Sequence, residues 1–183
     1  MFDLDAVVVA QPKRSRWRRY LGPALAVSTP EGTALATVTC TDDTHCVLTH
    51  TSGEVIVHIE HSGPAEFRFT DAAQREVGHA DAPGVFKSLQ LKLQTDRGRH
   101  LFLSRPGLPF TRWHLTETAP EGVPTQGILG RVTVSTIDSW IGLQQYVVDM
   151  DPRLEASDRR TVVAAVICLH LLRRPPGDST APT

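Results

Sequence analysis

The feature that most constrains this chain lies near its carboxyl end. From Thr161 to Leu172 twelve residues pass without a charge, and apart from Thr161 and His170 all are apolar. Such a segment has no polar face to turn to water, so the rest of the protein must enclose it. Val162, Val163, Val166 and Ile167 are β-branched and would suit a strand. Length decides: buried strands run roughly 4 to 8 residues, whereas a longer run led by Ser157-Asp158 as cap and stopped by Pro175-Pro176 predicts a helix over about 158–173. Arg173 and Arg174 stand where the helix dipole favours cations, while Arg159 and Arg160 stand at the opposing end. A bilayer span needs ~20 apolar residues, and twelve cover only about 18 Å at 1.5 Å each. The expectation is a helix buried in protein, without a transmembrane span.

The stretches before it supply the enclosure. Ala6–Ala10 is a short apolar strand candidate ended by Pro12. From Ala24 the chain reads as successive hairpins, each made of two β-like runs around a turn signal. Ala24–Ser28 and Thr33–Thr39 flank Pro30-Glu31-Gly32; Cys46–His50 and Glu54–Glu60 flank Ser52-Gly53; Glu66–Thr70 and Glu76–His79 flank Asp71 to Arg75. Ser88–Thr95, alternating at Leu89, Leu91 and Leu93, faces Arg99–Ser104 across Asp96-Arg97-Gly98. Arg112–Thr118, Ile128–Thr136 and Tyr146–Met150 complete about twelve strands, and Ala119–Gly127, with two prolines and two glycines, reads as a mobile loop. So many short antiparallel strands leave exposed edges unless they close. A barrel of that number is too wide for side chains alone to fill. The predicted fold is mainly β, a closed antiparallel barrel of roughly twelve strands around a central C-terminal helix.

At 183 residues the chain suffices for one domain with a full core, expected over 1–174, and the Pro/Ser/Thr-rich tail 175–183 is expected to be disordered. A formal charge of -1 gives no global pull toward nucleic acid or anionic membrane, so such a partner must meet a local patch. Cys40, Cys46 and Cys168 show no metal-type pair spacing, and Cys168 reads as a small core residue. The opening MFDLDAVVVAQPKR puts acids before a short apolar run, unlike a secretory signal, and a reducing cytoplasm is the expected setting. Sixteen Arg against three Lys favour surfaces suited to phosphate or carboxylate.

Three passages carry a family resemblance: the opening AVVVAQPK at Ala6–Lys13, strand–turn–strand units such as VSTPEGTALATV, and the closing DSWIGLQQYVVDMD followed by DRRTVVAAVICLHLL. With the expected barrel and helix, the chain resembles the tubby C-terminal fold shared by tubby-like proteins, phospholipid scramblases and plant LURP-one-related proteins. It is most similar to the scramblase-related group, which includes small bacterial members. The resemblance covers nearly the whole chain in pattern, with loose individual motifs. It implies the barrel fold and recognition of lipid. Tubby proteins hold phosphoinositide headgroups through basic residues, although no one-to-one match with positions here emerges. Scramblases carry a calcium-binding segment in the region of Asp138, Asp149 and Asp151, opened by two aspartates one residue apart; here the first of these positions is Thr136.

From the residues themselves, the main candidate site is Lys13 to Tyr20, KRSRWRRY, with five basic residues in seven positions from Lys13 to Arg19. If extended, Arg14, Arg16 and Arg18 project to one face and Trp17 and Arg19 to the other. Arginine forks suit phosphate oxygens and Trp17 suits a membrane interface, while a solvated loop is the bland alternative. Stacking of Trp17 and Tyr20 on nucleic-acid bases is the weakest reading, since one short basic segment on a neutral domain is a small footprint. Asp149 and Asp151 equally suit a turn cap before Pro152, because calcium prefers six to eight oxygens. His45, His50, His58, His61 and His79 read as ordinary surface histidines before a metal cluster, and His170 as a core histidine with a partner on the barrel wall. No HExxH, GxSxG, P-loop or dinucleotide glycine pattern occurs. The expectation is a non-enzymatic module without cofactor, docking on anionic lipid or a phosphorylated ligand, with a protein partner met through loops such as Ala119–Gly127 as the alternative and lipid scrambling as the third reading.

Overall fold

The computed structural model describes residues 2–12, 25–42, 44–82, 90–107, 111–118, 124–138 and 143–172. They form twelve strands, β1 (Ala6–Ala10), β2 (Leu25–Ser28), β3 (Ala34–Cys40), β4 (His45–His50), β5 (Val55–Gly63), β6 (Glu66–Thr70), β7 (Glu76–Asp81), β8 (Gln90–Thr95), β9 (His100–Ser104), β10 (Arg112–Thr118), β11 (Pro124–Asp138) and β12 (Leu143–Met150), followed by one helix, α1 (Ala156–Leu172). Each strand pairs antiparallel with its neighbours in sequence, and β1 closes the ring on β12, from Ala6 opposite Asp149 to Ala10 opposite Gln145. Closure leaves no free sheet edge.

Alternation sorts the side chains. Val7 and Val9 on β1, Val27 on β2, Leu91 and Leu93 on β8 and Tyr146 and Val148 on β12 are buried, while Glu60, Arg68, Lys92 and Asp149 between such positions are exposed. The apolar side faces inward and the polar side outward, the reverse of a barrel whose outer wall meets lipid. Within the ring, Thr161 to Leu169 are each at most 1% exposed. The helix packs chiefly on β7 and β8, with further contacts to β6, β1 and β12.

Gly78 lets the wall come close to α1. It takes φ +150 on β7, and a Cβ there would stand 2.8 Å from the Gln94 carbonyl and 3.1 Å from Thr161 Oγ1. Thr161 instead turns its hydroxyl to the Val77 and Ser157 carbonyls at 3.4 and 3.3 Å, so this polar residue of the plug has acceptors indoors.

Two expectations change in detail. The helix begins at Ala156, two residues before the expected start, and Ser157-Asp158 is not its cap. Glu155 precedes the first turn and its carbonyl accepts from Arg159 N–H at 2.9 Å, while Asp158, the third helical residue, reaches back to Glu155 N–H at 3.4 Å. That is the returning half of a capping box. Second, the expected loop Ala119–Gly127 is shorter: Pro124 to Gly127 belong to β11, and residues 119–123 lie outside the described residues. Shifts in register between Leu115 and Thr116, and again between Thr116 and Thr118, let β11 run this far against β10 despite its proline and glycines.

Candidate functional site

The basic segment Lys13, Arg14, Arg16, Trp17, Arg18 and Arg19 lies outside the described residues, as do Tyr20 and the tail from 173 to 183. In sequence it links β1 to β2. The described residues place their densest polar chemistry elsewhere, at the mouth of the barrel where α1 begins.

The strand directions bring to that mouth the β4–β5, β6–β7 and β8–β9 turns, the residues before β1, and the link from β12 to α1. Arg159 and Arg160 stand there, where the helix dipole disfavours them, and neither is a bare charge. Arg159 is 5% exposed, and its guanidinium donates to the carbonyls of Leu154 at 2.8 Å and Leu4 at 2.7 Å and to Asp5 Oδ1 at 3.1 Å. Arg160 Nη2 donates to Asp96 Oδ2 at 3.1 Å. Arg97 pairs with Glu155. Arg99 binds Glu117 through Nε at 2.9 Å and the fully buried Asp158 through Nη1 at 2.5 Å. Hydrogen bonds from Arg99 hold the Glu117 carboxyl below its usual range against the opposing effect of burial. Guanidinium forks thus stitch the start of the plug to the rim.

Beside this network opens a cleft of about 530 Å³ lined by Phe2, Val55, Ile56, Arg75, Arg160 and Glu54, among others. Its lining mixes apolar residues with ionic ones. Arg75 is held by Asp71, which accepts from Arg75 Nε at 2.8 Å and from the Ala73 and Arg75 N–H groups at 2.8 and 3.0 Å. Those bonds, that from the Arg75 N–H foremost, lower the Asp71 pKa. Among the described residues Arg160 Nε is enclosed without a hydrogen-bond partner and Glu54 has no ion-pair partner. The cleft therefore offers both a donor, at Arg160, and an acceptor, at Glu54, to a small ligand or to a side chain of a partner.

The three aspartates of the calcium reading do not gather. Asp138 pairs with Leu143 near the start of β12, whereas Asp149 lies toward its far end opposite Ala6 and Arg131. Asp151, just beyond, is engaged by Arg153 through Nε at 2.8 Å, Nη2 at 2.9 Å and its backbone N–H at 2.9 Å, which brings its pKa down from 3.8 to about 2. It caps the turn after β12, the alternative the sequence offered. The histidines are spread likewise. His45 binds Asp42, His50 binds Ser52, His61 stacks on Phe67 with ring centroids 4.6 Å apart, and His79 lies 3.7 Å from Glu76. Among the described residues no group of three or more His, Cys, Asp or Glu side chains is arranged to hold a metal ion. His170 meets Tyr146 of the barrel wall, ring centroids 6.0 Å apart and edge-on.

One pairing was not foreseen. Cys40 and Cys46 are disulfide-bonded across the β3–β4 hairpin. The signal was present in CTDDTHC, where both cysteines stand at equal distance from the centre of the turn, but it becomes readable only once the hairpin register is known.

No protein-family model matches this chain, and neither the curated proteins nor the solved structures contain a match.

Proposed function

We propose that this chain is a non-enzymatic binding module of the scramblase-related kind, docking on anionic phospholipid headgroups or another phosphate-bearing ligand through Lys13–Arg19, in the cytoplasm and peripheral to the membrane. The observation that carries the reading is the filled interior: with Thr161 to Leu169 at most 1% exposed inside the ring, ligands are left the outer surface and the two mouths. The sequence supplies the phosphate chemistry, five basic residues in seven positions beside Trp17. True scrambling fits less well, because among the described residues no helix is long and apolar enough to cross a membrane.

Co-sedimentation with vesicles of neutral lipid alone, and with acidic lipid added, tests it. Binding is expected only to the acidic vesicles. Each basic residue near an anionic surface contributes about 1 kcal/mol, so replacing Arg14, Arg16 and Arg18 by Ala should weaken binding by roughly a hundredfold. Unchanged pelleting of that triple variant refutes the docking role. A soluble inositol phosphate that binds without vesicle recruitment would identify a free ligand as the source of the phosphate.

The cleft beside Arg160 favours a second reading, a protein-interaction barrel. Its lining combines an acceptor at Glu54 and a donor at Arg160 with the apolar Phe2, Val55 and Ile56, the mixture found where a partner side chain inserts. Capture of one stoichiometric partner from the native host, lost when Arg160 and Glu54 are both replaced by Ala, is the result that reading requires.

A further inference from the structure

We propose that Cys40–Cys46 is a site of reversible thiol–disulfide exchange, opened by a small dithiol reductant and reclosed in place because the hairpin holds the two sulfurs opposite each other in either state.

The two cysteines are a register pair of β3 and β4, with Cα atoms 4.0 Å apart. Around them the hairpin is held by bonds that do not depend on sulfur. The ladder runs from Ala36 opposite His50 to the cysteines, and beyond them Thr41 N–H donates to the His45 carbonyl at 3.0 Å. The turn is tied by Asp42, whose Oδ1 accepts from Thr44 N–H, Thr44 Oγ1–H and His45 N–H, each at 2.7 Å. Breaking the S–S bond leaves these contacts standing. The bridge spans a sequence separation of only six, and a cross-link that closes so short a loop restricts the unfolded chain least. The barrel is therefore not built to rely on it. In a reducing cytoplasm, the setting proposed above, a disulfide is of the transient kind.

Access sets the order of events. Cys40 is partly buried at the mouth opposite the start of α1, and Cys46 beside it is 3% exposed. A thiolate of the reductant attacks Cys40 Sγ, forming a mixed disulfide and expelling Cys46 as a thiolate, which takes up a proton. The second thiol of the reductant then attacks its own sulfur in the mixed disulfide. The reductant leaves as a cyclic disulfide and Cys40 becomes a thiol. The protein gains two electrons and two protons, and the dithiol loses them. An oxidised dithiol of the same class runs the steps backward. Cys168 takes no part: it is fully buried in α1, and desolvation pushes its thiol well above the ordinary range.

The whole chain is equilibrated, still folded, in buffers of graded reduced to oxidised dithiothreitol, trapped with a maleimide and weighed intact. The population should pass directly from no adduct to two, with Cys168 labelled only after denaturation. Reoxidation should proceed at a rate unchanged by diluting the protein. Hydrogen exchange should quicken on reduction within residues 40–46 alone, with the amides of α1 equally protected in both states. The double variant Cys40→Ser, Cys46→Ser should melt cooperatively and show the reduced exchange pattern under every buffer. The proposal is overturned if the bridge yields only once the barrel unfolds, if both cysteines remain thiols in the oxidised buffer, or if reduction also frees the helix amides.

Discussion

Arg99 and Asp158 meet 2.5 Å apart at the mouth of the barrel, joining the β8–β9 connection to the first turn of the enclosed helix. The two ends of this pair are unequal. Asp158 is fully buried and its Oδ1 has no hydrogen-bond partner among the described residues, whereas Arg99 keeps Glu117 as a second partner and a quarter of its surface in water. An ionised carboxylate stripped of its counter-charge indoors is far worse off than a guanidinium that retains another. Arg99→Met should therefore destabilise by about 3 kcal/mol and Asp158→Asn by about 1 kcal/mol in urea unfolding. Equal losses would show that the pair acts through shape alone.

Gly78 leaves no room for a side chain. Gly78→Ala places a methyl against the Gln94 carbonyl and Thr161, in a backbone conformation that side chains rarely adopt, so a loss of about 2–4 kcal/mol is expected. Thr161→Ala removes only one of the two collisions, so the double variant should recover part of the stability. Full recovery would locate the strain entirely on the helix side.

Acidification reports on Asp151. Its folded pKa is depressed from 3.8 to about 2, chiefly by hydrogen bonds from the Arg153 side chain, so its contribution is present above pH 3.8 and fades as pH falls toward 2. Asp42 behaves in the same sense, with Thr44 as the main donor. Thermal melts of Asp151→Asn at pH 6 and at pH 2 should differ less than those of the unchanged chain. A difference of equal size in both proteins would remove Asp151 from the acid response.

Deleting the plug tests the architecture. A chain ending at Ser157 loses the segment enclosed by the ring, and the apolar faces of the wall strands are left facing a void. It should give no cooperative melting transition, and soluble protein with a sharp transition would refute the helix as the organising element.

Much of this was legible in the residues, for local reasons. Leu89, Leu91 and Leu93 alternate, Gly98 closes the turn after β8, and Thr161 to Leu172 shows no charge; each such pattern can be read without knowing any partner. The misses all need distance information. Arg159 looked misplaced against the helix dipole because Leu4 and Asp5, its partners, lie at the other end of the sequence. The Cys40–Cys46 bridge depends on a register that alternation does not set. Pro124 and Gly127 signal a loop, and only the irregular pairing with β10 keeps them in a strand. The cleft joins Phe2, the turn beside Glu54 and Arg160, which no spacing brings together. The basic segment, the clearest chemical signal in the sequence, lies outside the described residues.

The order of elements along the chain bears on its synthesis. Each ladder except the β1–β12 seam joins consecutive strands, so the wall can zip progressively as it leaves the ribosome, yet α1 follows all of it. Until that last segment emerges, the nascent sheet must keep a greasy concave face without its filling. A seam that shut early would lock the helix out. Slow synthesis of the final strands, or a chaperone that shields the unfinished trough, would then alter the yield of folded protein.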